Sequence, residues 1–135
     1  MVSLNREPFS SGPTTFLDVV ERHRKYFHPI GKGGWSRDPP NYMAFRCDGR
    51  LRSIHHVDSY QIITSWLPHF PDAEEKEIAQ HFLYDLGPPI IPSKEVKTGA
   101  IQRARRVSAA IDLLLTSDTI YDAWAATQHR GQTID

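Results

Sequence analysis

The stretch that decides the fold is residues 42–60, which read YMAFRCDGRLRSIHHVDSY. Its first five residues are mostly apolar and aromatic and follow a double proline, which predicts a β-strand. Asp48 and Gly49 then form the strongest short hairpin signal in the chain, because a two-residue turn needs positive φ at both positions. We therefore predict a hairpin whose second strand runs from residue 51 to residue 64.

This second strand is predicted to bend. Leu51 and Val57 share one face, and the apolar set then continues at Tyr60 and Ile62 with the opposite parity. The switch predicts a bulge or sharp bend near residues 58–59. Long bent strands of this kind allow a small sheet to curl into a barrel.

Further elements are predicted on both sides of the hairpin. Thr15 and Asp18 have the spacing of a capping box at the start of a helix over residues 15–27, which carries apolar residues at helical spacing. The other predicted elements are a short helix capped by Asp72, a strand over residues 82–86, an irregular stretch over residues 90–100, and a last helix capped by Ser117 or Thr116 that ends near Gln128.

Residues 101–112 allow two interpretations. Ile101, Ala104, Ser108 and Ile111 recur at helical spacing, and this periodicity favours a helix. The alternative is a strand over residues 106–112.

Length and composition favour one globular domain. The chain has 135 residues, of which 39% are hydrophobic and 24% charged. We predict a loose arm over residues 1–13, a single domain over residues 14–129 and a polar tail over residues 130–135. No stretch approaches the ~18 apolar residues that cross a bilayer, and the N-terminus lacks the apolar core of a secretory signal, so we expect a cytoplasmic protein that does not contact membranes.

The formal net charge of zero hides opposed blocks. Residues 22–52 hold eight basic residues against two acidic ones, and residues 94–106 hold five against one. Residues 53–93 hold one basic residue against six acidic ones. Neutrality argues against indiscriminate coating of nucleic acid, whereas the two basic blocks are compatible with a localised positive site.

Two arrangements of polar residues could carry chemistry. On a strand His56 and Asp58 point the same way and His55 the opposite way, and a third metal ligand would have to come from elsewhere. This spacing is not diagnostic of zinc, and half-buried imidazoles hydrogen-bonded to their neighbours explain it as well, so we predict no metal and no cofactor.

A nuclease pattern can also be assembled from Asp72, Glu95 and Lys97. In such enzymes two carboxylates hold Mg²⁺ and a lysine positions the attacking water. Residues 92–99 are polar rather than a core strand, however, and Asp72 is better explained as a helix cap.

Aromatic and basic residues near the hairpin indicate a different function. Aromatic rings stack on nucleobases, and arginines contact phosphates and base edges. A second basic cluster lies in residues 103–106. The candidate nucleic-acid-binding or base-binding residues are Trp35, Tyr42, Arg46, Trp66, Arg103, Arg105 and Arg106.

The hairpin region resembles the central hairpin of the PUA-like superfamily, which includes EVE-type domains. A second stretch resembles uncharacterised bacterial relatives, and together the two cover about half of the chain. The residues that carry the resemblance are Tyr42, Met43, Ala44, Phe45 and Arg46, the turn at Asp48 and Gly49, Ile54, Val57 and Tyr60, and then Phe82, Leu83, Tyr84, Pro88, Pro89, Ile90, Arg106, Val107 and residues 113–119.

The resemblance implies a small, curved, mostly antiparallel β-barrel and favours the strand over residues 106–112. With the predicted N-terminal, short middle and C-terminal helices, the expected fold class is α+β. Families of this fold commonly bind RNA or modified bases in a cleft between barrel and helices.

The predicted function is therefore a non-enzymatic module that binds RNA or modified DNA and accommodates a modified or flipped base. One alternative is a protein-interaction or effector domain, in which the opposed charge blocks would drive formation of a homo-oligomer or binding to a partner protein. A second alternative is the Mg²⁺-dependent nuclease.

Overall fold

The computed structural model describes residues 1–35, 37–99 and 111–133. Within these residues the chain is α+β, with a mostly antiparallel five-stranded sheet and three helices. The strand order is β1-β3-β4-β5-β2, with β1 parallel to β3. The elements are β1 (Val2–Ser3), α1 (Phe16–Glu21), β2 (Lys25–Pro29), β3 (Tyr42–Cys47), β4 (Arg50–Ser65), β5 (Glu77–Leu86), α2 (Ile111–Thr116) and α3 (Ile120–Thr133).

The α+β class and the mostly antiparallel sheet are confirmed, whereas the PUA-like barrel stays a prediction. No helix in the described part of the chain is long and apolar enough to cross a membrane.

The predicted hairpin forms from β3 and β4. The turn residues Asp48 and Gly49 have φ angles of 56° and 77°, which is the left-handed pair that a tight two-residue hairpin turn requires. The bend in β4 is also confirmed, because its register against β5 shifts between Val57 and Ser59.

The capping box of α1 is confirmed, but the predicted length of this helix is wrong. The Asp18 amide donates to Thr15 Oγ1 at 3.1 Å, and the Thr15 amide donates to the Asp18 carboxylate at 3.2 Å. The helix ends at Glu21, and Arg24 then takes a positive φ of 50°.

The residues predicted to complete that helix form β2 instead. Tyr26, Phe27 and His28 are all buried, so both faces of this strand are covered. β2 pairs antiparallel with β5 along its whole length. The apolar spacing that resembles a helix therefore comes from a strand buried on both sides, and the pairing with β5 outweighs the local helical pattern.

The predicted short middle helix is wrong. Residues 71–76 are not helical, and β5 begins directly after them. The Asp72 carboxylate accepts hydrogen bonds from the amide and the hydroxyl of Thr14, which lies 58 residues earlier in the chain. The side chain that was expected to cap a helix is therefore held by a distant loop.

The C-terminal part is helical where it is described. Ile111 and Asp112 belong to α2, so the predicted strand is wrong at these two residues, and residues 100–110 lie outside the described part. α3 extends beyond the predicted end at Gln128 to Thr133. Its first turn is capped by Thr119, whose Oγ1 accepts from the Asp122 amide at 3.0 Å, rather than by the predicted Ser117 or Thr116.

The contacts within the chain divide it into two compact units. Unit 1 consists of Met1–Leu4, Met43–Ile54 and Pro89–Asp135, and unit 2 of Asn5–Tyr42 and His55–Pro88. Each unit has its own cluster of buried apolar side chains.

In unit 1, the hairpin packs against α2 and α3. The N-terminus joins this sheet rather than forming a loose arm, because Val2 pairs with Phe45 and the Leu4 amide donates to the Arg46 carbonyl at 2.8 Å. The buried core of unit 1 consists of Ala44, Leu51, Ile54, Val96, Leu114, Ile120 and Ala123.

In unit 2, α1 packs against one face of the sheet formed by β2, β5 and the second half of β4. The ring of Phe9, from the N-terminal segment, lies 5.1 Å from the ring of Phe27. The buried core of unit 2 consists of Val19, Phe27, Ile63, Trp66, Phe70 and Leu83.

Candidate functional site

The other face of the unit 2 sheet carries aromatic side chains from three neighbouring strands. In one row Tyr84 of β5 pairs with Tyr26 on one side and Tyr60 on the other. In the next row on this face, Phe82 pairs with His28 on one side and Ile62 on the other. Opposed residues of antiparallel strands project from the same face, so the side chains of both rows lie on one side of the sheet. We call this surface the aromatic face, and its residues are Tyr26, His28, Tyr60, Ile62, Phe82 and Tyr84.

Trp35 packs on this face from the loop after β2. Its ring is nearly parallel to the His28 imidazole, with the ring centroids 4.5 Å apart and an angle of 7° between the planes. It also contacts Tyr26, at a centroid distance of 6.1 Å. Trp35 is half-buried, so part of its surface faces solvent.

The loop that carries Trp35 is glycine-rich because the backbone must adopt unusual conformations and make close approaches. Gly31 has a φ of 68°, and a Cβ at this position would lie 2.6 Å from Nε of Arg37. The Arg37 side chain therefore lies directly over Gly31. Lys32 and Arg37 are both exposed and place two positive charges in the Trp35 loop.

A buried hydrogen bond fixes the ring on which Trp35 stacks. His28 Nδ1 lies 2.9 Å from the Pro29 carbonyl oxygen, and Nε2 lies 2.6 Å from the Tyr84 hydroxyl. Because a carbonyl oxygen can only accept, we assign the proton to Nδ1, and Nε2 then accepts from the Tyr84 hydroxyl. These two hydrogen bonds fix the orientation of the imidazole against which the Trp35 ring stacks.

Burial raises the pKa of Tyr84 to about 12, with a smaller contribution from the nearby Tyr60. The phenol therefore stays protonated at neutral pH and keeps its donor role toward His28.

The aromatic face is buried at β2 and β5 and open at β4. Tyr84 is fully buried, whereas Tyr60 and Ile62 are each 54% exposed. The Tyr60 ring meets the Phe82 ring edge to face, at a centroid distance of 5.6 Å. The open end therefore presents a supported aromatic ring to solvent beside an exposed aliphatic side chain.

Tyr42, a predicted site residue, lies in a different cluster of unit 2. It is 45% exposed, and its ring meets that of His56 at 5.1 Å. His56 Nδ1 lies 2.8 Å from Asp58 Oδ1, so these two side chains point the same way, as the sequence predicts. His55 is buried, with Nδ1 2.8 Å from the Gly87 carbonyl oxygen.

No group of three His, Cys, Asp or Glu side chains among residues 1–35, 37–99 and 111–133 is arranged to hold a metal ion.

Trp66 and Arg46 are buried side chains. Trp66 is 7% exposed and lies 4.4 Å from Phe27 between ring centroids, in the core of unit 2. Because Phe27 projects from β2 on the opposite side to Tyr26 and His28, Trp66 lies on the opposite face of the sheet from Trp35.

Arg46 is 2% exposed within unit 1, and burial lowers its guanidinium pKa. Arg103, Arg105 and Arg106 lie outside the described residues.

Sequence reasoning included Trp35 but missed the residues that surround it. Tyr26 falls in the predicted helix and His28 directly after it, whereas Phe82 and Tyr84 fall in a predicted strand with no binding role. The sequence did contain one signal for Tyr60 and Ile62. They are spaced two residues apart, so they project from the same face of the strand, and the apolar positions change parity just before them.

Comparison of the chain with protein-family models, with curated proteins and with solved structures gave no match. The PUA-like resemblance therefore stays a prediction.

Proposed function

We propose that unit 2 binds single-stranded nucleic acid and that its aromatic face stacks on an unpaired base. This base can be an ordinary, a modified or a flipped one. The observation that carries this proposal is an exposed ring, Tyr60, on the same sheet face as Trp35, whose loop also holds Lys32 and Arg37.

Stacking is the chemistry that this face offers. Sheet-borne aromatic rings bind unpaired bases through their π-faces, and one such contact contributes about 1–3 kcal/mol. A tyrosine held by an edge contact to a buried phenylalanine loses little freedom on binding, because its orientation is already restricted. Tyr60 has this support from Phe82.

The exposed basic side chains at both ends of β2 also favour a nucleic-acid ligand. Lys32 and Arg37 are exposed, and so are Arg22 and Arg24 at the other end of β2. Cations beside a stacking surface neutralise phosphates, and the binding that results weakens as salt rises. The zero net charge of the whole chain is compatible with such a local site.

The proposal does not use Trp66 or Arg46, because burial keeps both from contact with a ligand. Tyr42 is exposed and can contact a bound strand only outside the aromatic face.

The test is fluorescence anisotropy with labelled single strands of about 12 nucleotides, a length within the usual site sizes. RNA, DNA and DNA that carries a methylated base are compared at about 50 mM salt. We expect at least one of them to bind with an affinity that falls as salt rises, and we expect Tyr60→Ala to weaken that binding about 5- to 150-fold, the equivalent of one stacking contact.

Two variants serve as controls. Tyr60→Phe keeps the ring and should bind like the wild type. Tyr121→Ala removes an exposed ring of similar accessibility from α3 in unit 1 and should leave the affinity unchanged. If none of the three probes binds, or if Tyr121→Ala weakens binding as much as Tyr60→Ala, the aromatic face is not the binding surface.

A further inference from the structure

The second half of β4 is an open sheet edge in the described part of the chain. From Ser59 to Ile63 the strand pairs with β5 on one side. On its other side the Val57 amide donates to the Asn41 carbonyl at 2.8 Å, just before this segment begins. Beyond that point no described segment pairs with this edge.

The exposure of this segment fits an open edge. Residues 58–62 are all exposed, although successive residues of a strand project to opposite faces of the sheet. Register shifts flank the segment at both ends, between Val57 and Ser59 and between Ile63 and Ser65. They leave five regularly paired residues whose other edge offers backbone donors and acceptors.

Proteins usually protect such edges with charged residues, above all lysine, or with proline. Residues 59–65 read SYQIITS and contain no charged residue and no proline. Two of them, Tyr60 and Ile62, are large apolar residues on the same face and are each 54% exposed. The segment therefore has the composition of an edge that accepts a partner strand.

The sequence of the segment is complementary to itself in the antiparallel direction. When two copies pair about a centre at Gln61, Tyr60 of each copy lies opposite Ile62 of the other. Aromatic and β-branched residues make a favourable cross-strand pair, and the symmetry forms this pair twice. The nearest charge is Asp58, which lies opposite Thr64 of the other copy, so no like charges meet.

We propose that this edge binds a second copy of the chain, with the two β4 strands antiparallel about a two-fold axis through Gln61. The result is a continuous sheet of six strands across the two copies. Because a two-fold axis between antiparallel strands is perpendicular to the sheet, both aromatic faces lie on the same side. The pairing stands independently of the proposed nucleic-acid binding.

The contact is small, so the dimer is weak and depends on concentration. We expect sedimentation equilibrium to show the apparent mass rising from 15.4 kDa toward twice that value as the protein concentration approaches about 1 mM. An apparent mass that stays at that of the monomer over this range would overturn the proposal.

A charge-swap experiment tests the register. Gln61 is exposed and opposes itself in the dimer, so Gln61→Lys and Gln61→Glu each place two like charges opposite one another. We expect each variant alone to be monomeric, and an equimolar mixture of the two to dimerise at least as well as the wild type.

Recovery in the mixture also shows that the single variants are folded. Dimers that persist in both single variants would place the interface elsewhere. A mixture that stays monomeric would exclude the pairing about Gln61.

Discussion

Replacement of Tyr84 by phenylalanine tests the buried centre of the aromatic face. The change removes one oxygen atom and leaves the ring that packs against Phe82, so the apolar area buried by the side chain hardly changes. What is lost is the hydrogen bond to His28 Nε2, which is 2.6 Å long and buried from solvent.

The expected cost follows from the burial of both partners. Tyr84 is 0% exposed and His28 is 3% exposed, so water cannot take the place of the missing hydroxyl. Removing one partner of a buried hydrogen bond costs about 1–3 kcal/mol. We expect Tyr84→Phe to lower the free energy of unfolding by about 2 kcal/mol, the middle of that range.

Urea denaturation at neutral pH measures this loss. With slopes of about 1–3 kcal/mol per molar urea, the unfolding midpoint should fall by about 1 M while the slope stays unchanged. Tyr60→Phe is the matched control, because it removes a hydroxyl from a ring that is 54% exposed and should change stability by less than about 0.5 kcal/mol. A loss in Tyr84→Phe no larger than in the control would refute the reasoning.

The same variant tests how the raised pKa of Tyr84 affects stability at alkaline pH. The pKa of Tyr84 is raised from an ordinary value of 10.0 to about 12 in the folded protein. A raised pKa means that the folded state holds the proton more tightly than the unfolded state, so the stability it contributes is complete below about pH 10 and is lost as the pH rises through 12. Tyr84→Phe should lack this alkaline decline, and an identical decline in both proteins would contradict the assignment.

Two further predictions concern other parts of unit 2. A hydrogen bond from the Lys25 ammonium lowers the pKa of Asp85, so stability present above about pH 4 should be lost as the pH falls through the lowered pKa. In urea titrations Asp85→Asn should flatten this acid decline, and it should cost less than about 1 kcal/mol at pH 7 because the pair is partly exposed. An unchanged acid decline in Asp85→Asn would contradict this assignment. A Cβ at Gly12 would clash with the Asp72 carbonyl oxygen. Gly12→Ala should therefore lower the thermal midpoint and cost more than about 1 kcal/mol, and a wild-type midpoint would contradict this close approach.

The elements that the sequence predicted correctly depend on local chemistry. The Asp48 and Gly49 turn requires positive φ at two adjacent residues, and the capping box of α1 requires only the spacing of Thr15 and Asp18. Both signals lie within four residues, and both are confirmed. The bend of β4 was also visible locally, as a change of parity next to Tyr60.

The elements that the sequence predicted wrongly depend on distant partners. β2 is a strand because β5, more than 50 residues later, pairs with it and both of its faces are covered. Asp72 caps no helix because Thr14, 58 residues earlier, holds its carboxylate. Neither partner can be inferred from the residues that surround β2 or Asp72.

In the candidate site too, local sequence identifies some residues, whereas their positions depend on distant partners. Trp35 was recognisable as a tryptophan in a glycine-rich loop, but its position over His28 depends on the hydrogen bond to Tyr84, which lies 56 residues from His28. Trp66 and Tyr42 gave the same sequence signal, an aromatic residue beside the hairpin, and the structure buries one and exposes the other. Trp66 is buried by its contact with Phe27, which is distant in sequence, whereas Tyr42 contacts the exposed His56.

The most direct test of the proposed function is an NMR titration of aromatic side-chain resonances with a single-stranded oligonucleotide that binds in the anisotropy assay. Stacked bases shift the ring signals of the residues that they cover. We predict shifts for Tyr60 and Trp35 that saturate together, with Tyr121 unchanged. Saturating shifts confined to Tyr121 or other rings outside the aromatic face would contradict the account.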